Sequence, residues 1–238
     1  MILVFLALAT VLGLVGAFGN PADSLSSVNQ STWGSFQQGV GGRLYDGEPM
    51  LAPCFVPYNG QLQAPDTQEC NVLQRDRNDS RFVSGNFGTY HSINWGVRQA
   101  IGEGCAFGSS SPDLISPVTQ QSYQGSYPSK YVDAQSVDDI QKTLNFTRTN
   151  HLRLVIKNTG HDYTGRNSGR DSLALWTHNI QPLMVLGRGF IPDRWSEGVG
   201  DAITFGAGQQ FAGIYEFAHE HDYRVVGGFS NTVGAAGG

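Results

Sequence analysis

Apolar and polar positions change their rhythm along this chain, and the changes mark out its elements. Tyr131-Val132-Asp133-Ala134 reads as a strand. Ser136 followed three residues later by Asp139 is a capping-box pattern that starts a helix. Val137, Ile140 and Leu144 then fall at i, i+3 and i+7, which predicts an apolar helical face ending near Asn150. Leu152-Arg153-Leu154-Val155-Ile156 is a strand again. Strand, helix and strand in so short a stretch form a βαβ unit, so a parallel pair with a right-handed crossover is expected. Short apolar strands follow at residues 172–176, 182–186 and 202–205. A second helix is predicted over residues 209–221, with Phe211, Ile214, Tyr215 and Ala218 on its apolar face. Tyr223-Arg224-Val225-Val226 reads as a last strand before a glycine-rich end. This alternation predicts an α/β or α+β domain over residues 126–238.

The N-terminal half reads differently. Residues 2–18 are an uncharged apolar run that ends in Val15-Gly16-Ala17, small residues at a spacing a signal peptidase accepts. Polar and turn-forming residues follow at once, which predicts a secretory signal over residues 1–17. The competing reading is an uncleaved anchor, but the run falls short of the roughly 20 residues of a spanning helix, and no stable membrane insertion is expected. Residues 18–125 show no sustained period. A short helix over residues 93–101, carrying Trp95, Val97 and Ile101, and a Ser/Pro/Gln-rich loop over residues 108–125 are the features expected there. The region reads as an extension that wraps the following domain.

Composition narrows the class. The chain has 238 residues, of which 39% are hydrophobic and 11% aromatic, too many for a disordered chain. Its charged residues are 15%, and the formal net charge is −5, which argues against a nucleic-acid partner. Three sequons, beginning at Asn29, Asn78 and Asn145, suggest a secreted glycoprotein behind the signal. Cys54, Cys70 and Cys105 in an oxidising compartment predict one disulfide and one leftover thiol, with three pairings open. Their spacing resembles no zinc site.

Chemistry gathers in two glycine-rich segments, each following a strand. The first is Lys157-Asn158-Thr159-Gly160-His161-Asp162-Tyr163-Thr164-Gly165-Arg166-Asn167-Ser168-Gly169. Its glycines permit positive φ, and successive backbone N–H groups in such a turn form an anion-binding nest suited to a diphosphate. Neither a P-loop nor a complete Gly-x-Gly-x-x-Gly is present. The plain alternative is a long connection between strands. His161 has its own alternatives: a packed histidine, half of a hydrolase triad without a Gly-x-Ser-x-Gly elbow, or a metal site with Asp162 and His178. The second segment is Gly227-Gly228-Phe229-Ser230-Asn231-Thr232-Val233-Gly234-Ala235-Ala236-Gly237-Gly238. The two could grip one extended ligand, with Gly206-Ala207-Gly208 as a third contact.

These segments carry a resemblance. The first resembles the flavin-attachment loop of FAD-linked oxidases with a p-cresol-methylhydroxylase-type (PCMH-type) FAD-binding domain, in the vanillyl-alcohol-oxidase (VAO) superfamily. The branch is similar to the secreted fungal oxidoreductases like berberine bridge enzyme. The strand and helix from Tyr131, the segment Leu173-Ala174-Leu175-Trp176-Thr177-His178, the Gly206-Ala207-Gly208 turn and the block from Thr232 match that family's order. The likeness spans residues 125–238, and more loosely residues 95–105. It implies an α+β fold of βαβ units with a mixed sheet. It also implies FAD as cofactor, joined covalently to His161. Asn158, Thr159, Gly160, Asp162, Gly165 and Ser168 match the pyrophosphate-cradling loop; Thr232, Gly234 and Gly237 match the second FAD loop. Some members carry a second tether as a cysteine near the position of Ser230, so attachment through His161 alone is expected here. Such enzymes move a hydride from an alcohol, sugar or other small organic substrate to the flavin, often with O2 as acceptor. Because that family continues past the second loop, the chain reads as an N-terminal fragment whose FAD-binding domain is incomplete at the C-terminus. The alternative readings are a secreted non-catalytic α/β binding protein derived from such an oxidase, and a glycan-binding module.

Overall fold

In the computed structural model the structure describes residues 24–91, 95–98, 100–105, 121–198 and 200–237. The expected signal over residues 1–17 lies outside them, as does most of the loop at 108–125. Among the described residues no helix is long and apolar enough to cross a membrane.

The centre is a four-stranded sheet. Its strands are β1 (Leu44–Asp46), β2 (Lys130–Asp133), β3 (Leu154–Lys157) and β4 (Leu173–Trp176), in the order β1-β2-β4-β3. β2 and β3 both run parallel to β4, and β1 closes one edge antiparallel to β2, so the sheet is mixed. The expected direct parallel pair of β2 and β3 is therefore corrected, because β4 lies between them. β4 reads Leu-Ala-Leu-Trp and is buried at every position, as a strand covered on both faces must be. Its alternate residues feed two cores. Leu173 and Leu175 join Leu25, Phe36, Val40, Leu44, Val132 and Leu152. Ala174 and Trp176 join Phe87 and Val155.

The first core is covered by α1 (Gln30–Gly39) and α4 (Val137–Thr149). The capping box of Ser136 and Asp139 is formed as the sequence predicts. The helical face is not. Val137 and Leu144 are exposed, while Asp139, Thr143 and Thr147 turn inward with half-buried Ile140 and Phe146. Thr143 and Thr147 tolerate this because each hydroxyl donates to the carbonyl four residues back, at 2.7 and 3.0 Å. Phe146 stacks on Phe36 of α1 with ring centres 3.9 Å apart.

Residues 24–91 hold more order than expected. α1, α2 (Thr67–Asp76) and α3 (Ser80–Ser84) begin at Asn29, Asp66 and Asp79, each of which accepts a bond from the first-turn backbone. A disulfide joins Cys54 to Cys70 and pins α2 over a small core of Ala52, Phe55, Tyr58 and Leu73. Cys105 stays free and buried, and burial pushes its thiol up to about 12. The helix expected over residues 93–101 is not formed among the described residues; Arg98 and Glu103 instead pair across a tight turn. All three sequon asparagines are exposed.

A two-stranded antiparallel ribbon, β5 (Val185–Gly187) and β6 (Ala202–Thr204), leads into α5 (Phe211–Glu220). Ile214 and Ala218 are the buried positions of α5, within the predicted face. Residues 223–226 do not form the predicted strand, and Val226 is 90% exposed.

Asp139 ties the N-terminal region to the sheet domain. Its carboxylate accepts from the backbone N–H groups of Gln135 and Ser136, from Ser136 Oγ and from the Arg43 guanidinium. Burial pushes its pKa up, but Arg43 and the local donors prevail, so it lies below the usual carboxylate value. Replacing Asp139 with Ala strands these donors and leaves Arg43 without its ion pair. We expect a loss of about 3 kcal/mol in urea denaturation, against about 1 kcal/mol for Ser136→Ala. Equal losses from the two variants would show that Asp139 acts only as a cap.

Candidate cofactor site

The parallel register brings Asp133, Trp176 and Lys157 level at the carboxyl ends of β2, β4 and β3. Open sheets of this kind present ligand sites at that edge. The chain leaves β3 there as the loop of residues 158–169, and leaves β4 as residues 177–182.

Lys157 is the anchor beneath the loop. It is fully buried, and its Nζ sits 5.6 Å from the centres of the Phe87 and Trp176 rings and 5.9 Å from that of Tyr90. One carbonyl, Asn86 O, accepts from it at 3.2 Å. It makes no ion pair among the described residues, and burial pulls its pKa down to about 7. The aromatic faces take over part of the role of a counter-ion.

Asn158 and Thr159 then join three segments. Asn158 is held from both sides: its carbonyl accepts the Trp176 indole N–H at 2.9 Å, and its Nδ2 donates to Ala207 O at 2.7 Å. Thr159 is fully buried, and its Oγ1 accepts from Gly234 N at 3.3 Å. A side chain at Gly234 would collide with the Asn158 amide, and one at Gly208 would run into the His178 carbonyl. The glycines are there because the backbones touch. The loop of residues 230–237 also lies across the start of α5, where Phe211 N and Ala212 N donate to Val233 O and Asn231 O. These are two of the orphan donors of a helix N-terminus.

Gly160 takes φ +88° and carries the chain into His161. The His161 ring bonds Thr232 Oγ1 through Nε2 at 2.9 Å. Its other face meets the His91 ring, 3.6 Å away and nearly parallel at 12°. Burial first, and then the Lys157 charge, hold His161 below the ordinary histidine pKa. His91 is pulled down to about 4 by burial, with His161 and Lys157 adding to it.

Asp162 turns back into the loop. It accepts from Thr164 N, Thr164 Oγ1, Arg166 N and the Arg166 side chain, at 2.8–3.2 Å. Burial raises its pKa, but these donors dominate and hold it far below the usual value. Its carboxylate thus shapes the turn. Gly165, at φ +72°, lies against the Trp95 ring, and Ser168 N donates to Gly165 O at 3.2 Å. Gly237 has φ +130° and open space where a side chain would stand.

The three segments singled out in the sequence therefore meet in space: Asn158 with Ala207, Thr159 with Gly234, and His161 with Thr232. His91, in a stretch without a motif, is a member that sequence reasoning missed. Trp176, read there as a strand residue within a family-like segment, was given no role in the site. Polar atoms of the site remain unmatched. Asn158 Oδ1, His178 Nδ1 and both side-chain polar atoms of Asn167 are buried without a partner among the described residues. Such atoms each cost about 1–3 kcal/mol unless something bonds them, so they are points at which a polar ligand fits. Among the described residues no three His, Cys, Asp or Glu side chains gather as metal ligands, and His161, Asp162 and His178 form no such set.

Comparison with known proteins gives this arrangement relatives. No family model matches the chain. It is 31% identical over 217 residues to the FAD-linked oxidoreductase OXR2 of Pyricularia oryzae, covering 87% of this chain and 36% of the relative. It is 33% identical over 217 residues to the FAD-linked oxidoreductase phmC of Phaeosphaeria nodorum, covering 90% and 43%. Among solved structures, the VAO-type flavoprotein MtVAO615 of Myceliophthora thermophila superposes with a TM-score of 0.72 at 28% identity, covering 94% of this chain and 37% of that one. MtVAO713 of the same fungus superposes at 0.69 and 26%, covering 90% and 36%. The chain thus spans 36–43% of the length of these relatives.

A buried lysine without a carboxylate partner has a stability signature. Its folded pKa lies below the unfolded value of about 10.4, so the unfolded chain binds more protons between about pH 7 and 10. The cost of burying the charge is therefore full below pH 7 and fades as pH rises. Lys157→Met keeps the stem in the aromatic cage and removes that cost. We expect its urea midpoint to exceed the wild type's at pH 6.5, with the difference shrinking by pH 9.5. A constant or opposite difference would contradict the electrostatic account.

Proposed function

We propose that this homologue of FAD-linked oxidoreductases, whose fold is that of part of a VAO-type flavoprotein, binds FAD at the joined loops and serves hydride-transfer chemistry. The observation that carries this reading is the meeting of three glycine-bearing segments at the carboxyl edge of the sheet, with unmatched buried polar atoms at Asn158, Asn167 and His178. Those residues, with unmatched acceptors at Asn158 Oδ1 and Asn167 Oδ1 and an unmatched donor at Asn167 Nδ2, fit a cofactor that is extended and polar. In this reading Asn158, Thr159, Gly160, Gly165 and Ser168 border the diphosphate from one side. Thr232, Gly234 and Gly237 border it from the other. Asp162 keeps the first loop in shape. When bound, FAD supplies the two-electron acceptor for an alcohol, sugar or other small organic substrate, and dioxygen takes the electrons from it.

His161 is proposed as the covalent anchor. Its Nε2 is engaged by Thr232, and Nδ1 has no bond among the described residues. In the tautomer with the proton on Nε2, Thr232 Oγ1 accepts and Nδ1 carries the free lone pair. The net change replaces one C–H bond of the flavin 8α-methyl and one N–H bond of the imidazole with a C–N bond. Dioxygen removes the two electrons and two protons as hydrogen peroxide. Export of the chain through a secretory pathway is part of the same proposal. The apolar run at residues 2–18, the Cys54–Cys70 disulfide and three exposed sequon asparagines support it.

The test is the chain expressed in a eukaryotic secretory host. We expect flavin absorbance that survives denaturation, and a tryptic peptide containing His161 heavier by the mass of FAD less two hydrogens. His161→Ala should lose the denaturation-resistant fraction entirely. Protein without flavin absorbance, and with an unmodified His161 peptide, would refute FAD attachment to this chain.

A further inference from the structure

His91 has no place in the readings above, and neither does the company Lys157 keeps. The Ser84 hydroxyl donates to Ser80 O at 2.7 Å, so its single hydrogen is committed. It can then only accept from His91 Nε2, 2.8 Å away. His91 is thereby fixed with its proton on Nε2 and its ring plane set by the end of α3. Its backbone is fixed as well, because His91 N donates to Gly160 O at 3.0 Å, next to His161. The ring of His91 covers one face of His161 and excludes water from it. Beneath the same turn runs the Lys157 stem, whose Cε lies 3.4 Å from where a side chain on Gly160 would begin. Among the described residues no carboxylate pairs with these bases. Asp162, next to His161 in the chain, is spent on Thr164 and Arg166. Thr232, the group bonded to the His161 ring among the described residues, is uncharged. His178 stacks on Trp176, and the Asp133 charge acts on His178 rather than on His161.

We propose that His91 and Lys157 are positioning residues that keep His161 a neutral imidazole with Nδ1 free, His91 by covering the ring and Lys157 by placing a positive charge under its turn. Neither residue reacts. Together they make a second proton on His161 unfavourable, since it would stand against a buried cation and in reduced contact with water. A protonated imidazole has no lone pair to offer, so this state is what any covalent bond at Nδ1 requires. The inference rests on the reading of His161 as an anchor only for its purpose; the proton state itself is a property of the chain.

The test is a titration of the full chain labelled at histidine carbon, following the six histidine ring signals by NMR from pH 4 to 8, with His161→Asn to assign its signal. In the wild type we expect the His161 midpoint below the free value of about 6.5. Lys157→Met should move it upward by about one unit, through loss of the charge. His91→Ala should also move it upward, by opening the ring to water. His91→Phe, which restores a flat cover without a titrating group, should return it to the wild-type midpoint. A wild-type His161 that titrates at about 6.5 or above overturns the proposal whether or not any variant folds. So does a midpoint that ignores both Lys157→Met and His91→Ala. The measurement needs no flavin. A chain without attached FAD would sink the anchor reading and leave this result standing, while a normal midpoint in a flavin-carrying chain would do the reverse.

Discussion

The structure depends on how closely three backbones approach at the carboxyl edge of the sheet. Asn158 reaches Ala207, Thr159 receives Gly234, and Gly208 lies against the carbonyl of His178. Side chains at Gly208 or Gly234 would push these segments apart, and with them the bond between His161 and Thr232. The approach also explains why α5 starts where it does, since the loop of residues 230–237 supplies its first acceptors. The glycines at 208 and 234 are therefore a packing requirement. Where the backbone itself is the contact surface, only a residue without Cβ fits.

Below that edge the sheet accepts costs that a purely structural core would avoid. Lys157 is buried with aromatic faces and one carbonyl in place of a carboxylate. Asn158, Asn167 and His178 each bury a polar atom without a partner. Away from that edge Asp139 collects donors from Gln135, Ser136 and Arg43, and the inward threonines of α4 bond to carbonyls, although Arg43 Nε and Ser122 Oγ have no partner among the described residues. Among the described residues, four of the six unmatched buried atoms lie at that one edge, which is where a ligand would supply what is missing.

Much of this was legible in the sequence, for local reasons. A Ser-x-x-Asp box and a block of consecutive apolar residues act over a few positions, so α4 and β4 could be read directly. The two glycine-rich loops were legible because glycine clusters after strands have few purely structural uses. What failed was non-local. Nothing in the βαβ pattern says that β4 inserts between β2 and β3, because pairing partners are chosen by burial on both faces. The inward face of α4 was misread because threonine and aspartate count as polar in any periodicity, yet Thr143, Thr147 and Asp139 bring their own hydrogen-bond partners. α1, α2 and α3 were missed for lack of apolar period, although Asn29, Asp66 and Asp79 marked each start. His91 was invisible for a stronger reason: its significance is its contact with His161, and no spacing encodes a contact between distant loops.

That contact also links the two halves of the chain. Residues 24–91 read as a wrapping extension, yet they supply β1 at one edge of the sheet, Arg43 to Asp139, Phe87 and Tyr90 to the Lys157 cage, and His91 to the face of His161. A region that only wrapped the domain would meet it through surface side chains. This one reaches the floor of the candidate site through α3 and the turn after it, held by Ser84 and by the bond from His91 N to Gly160 O. The disulfide that pins α2 beside that turn stabilises the same region, because closing a loop lowers the entropy of the unfolded chain. The chemistry of His161 is thus set by its own loop and, from the opposite side, by a segment that joins the sheet domain through burial rather than through any motif.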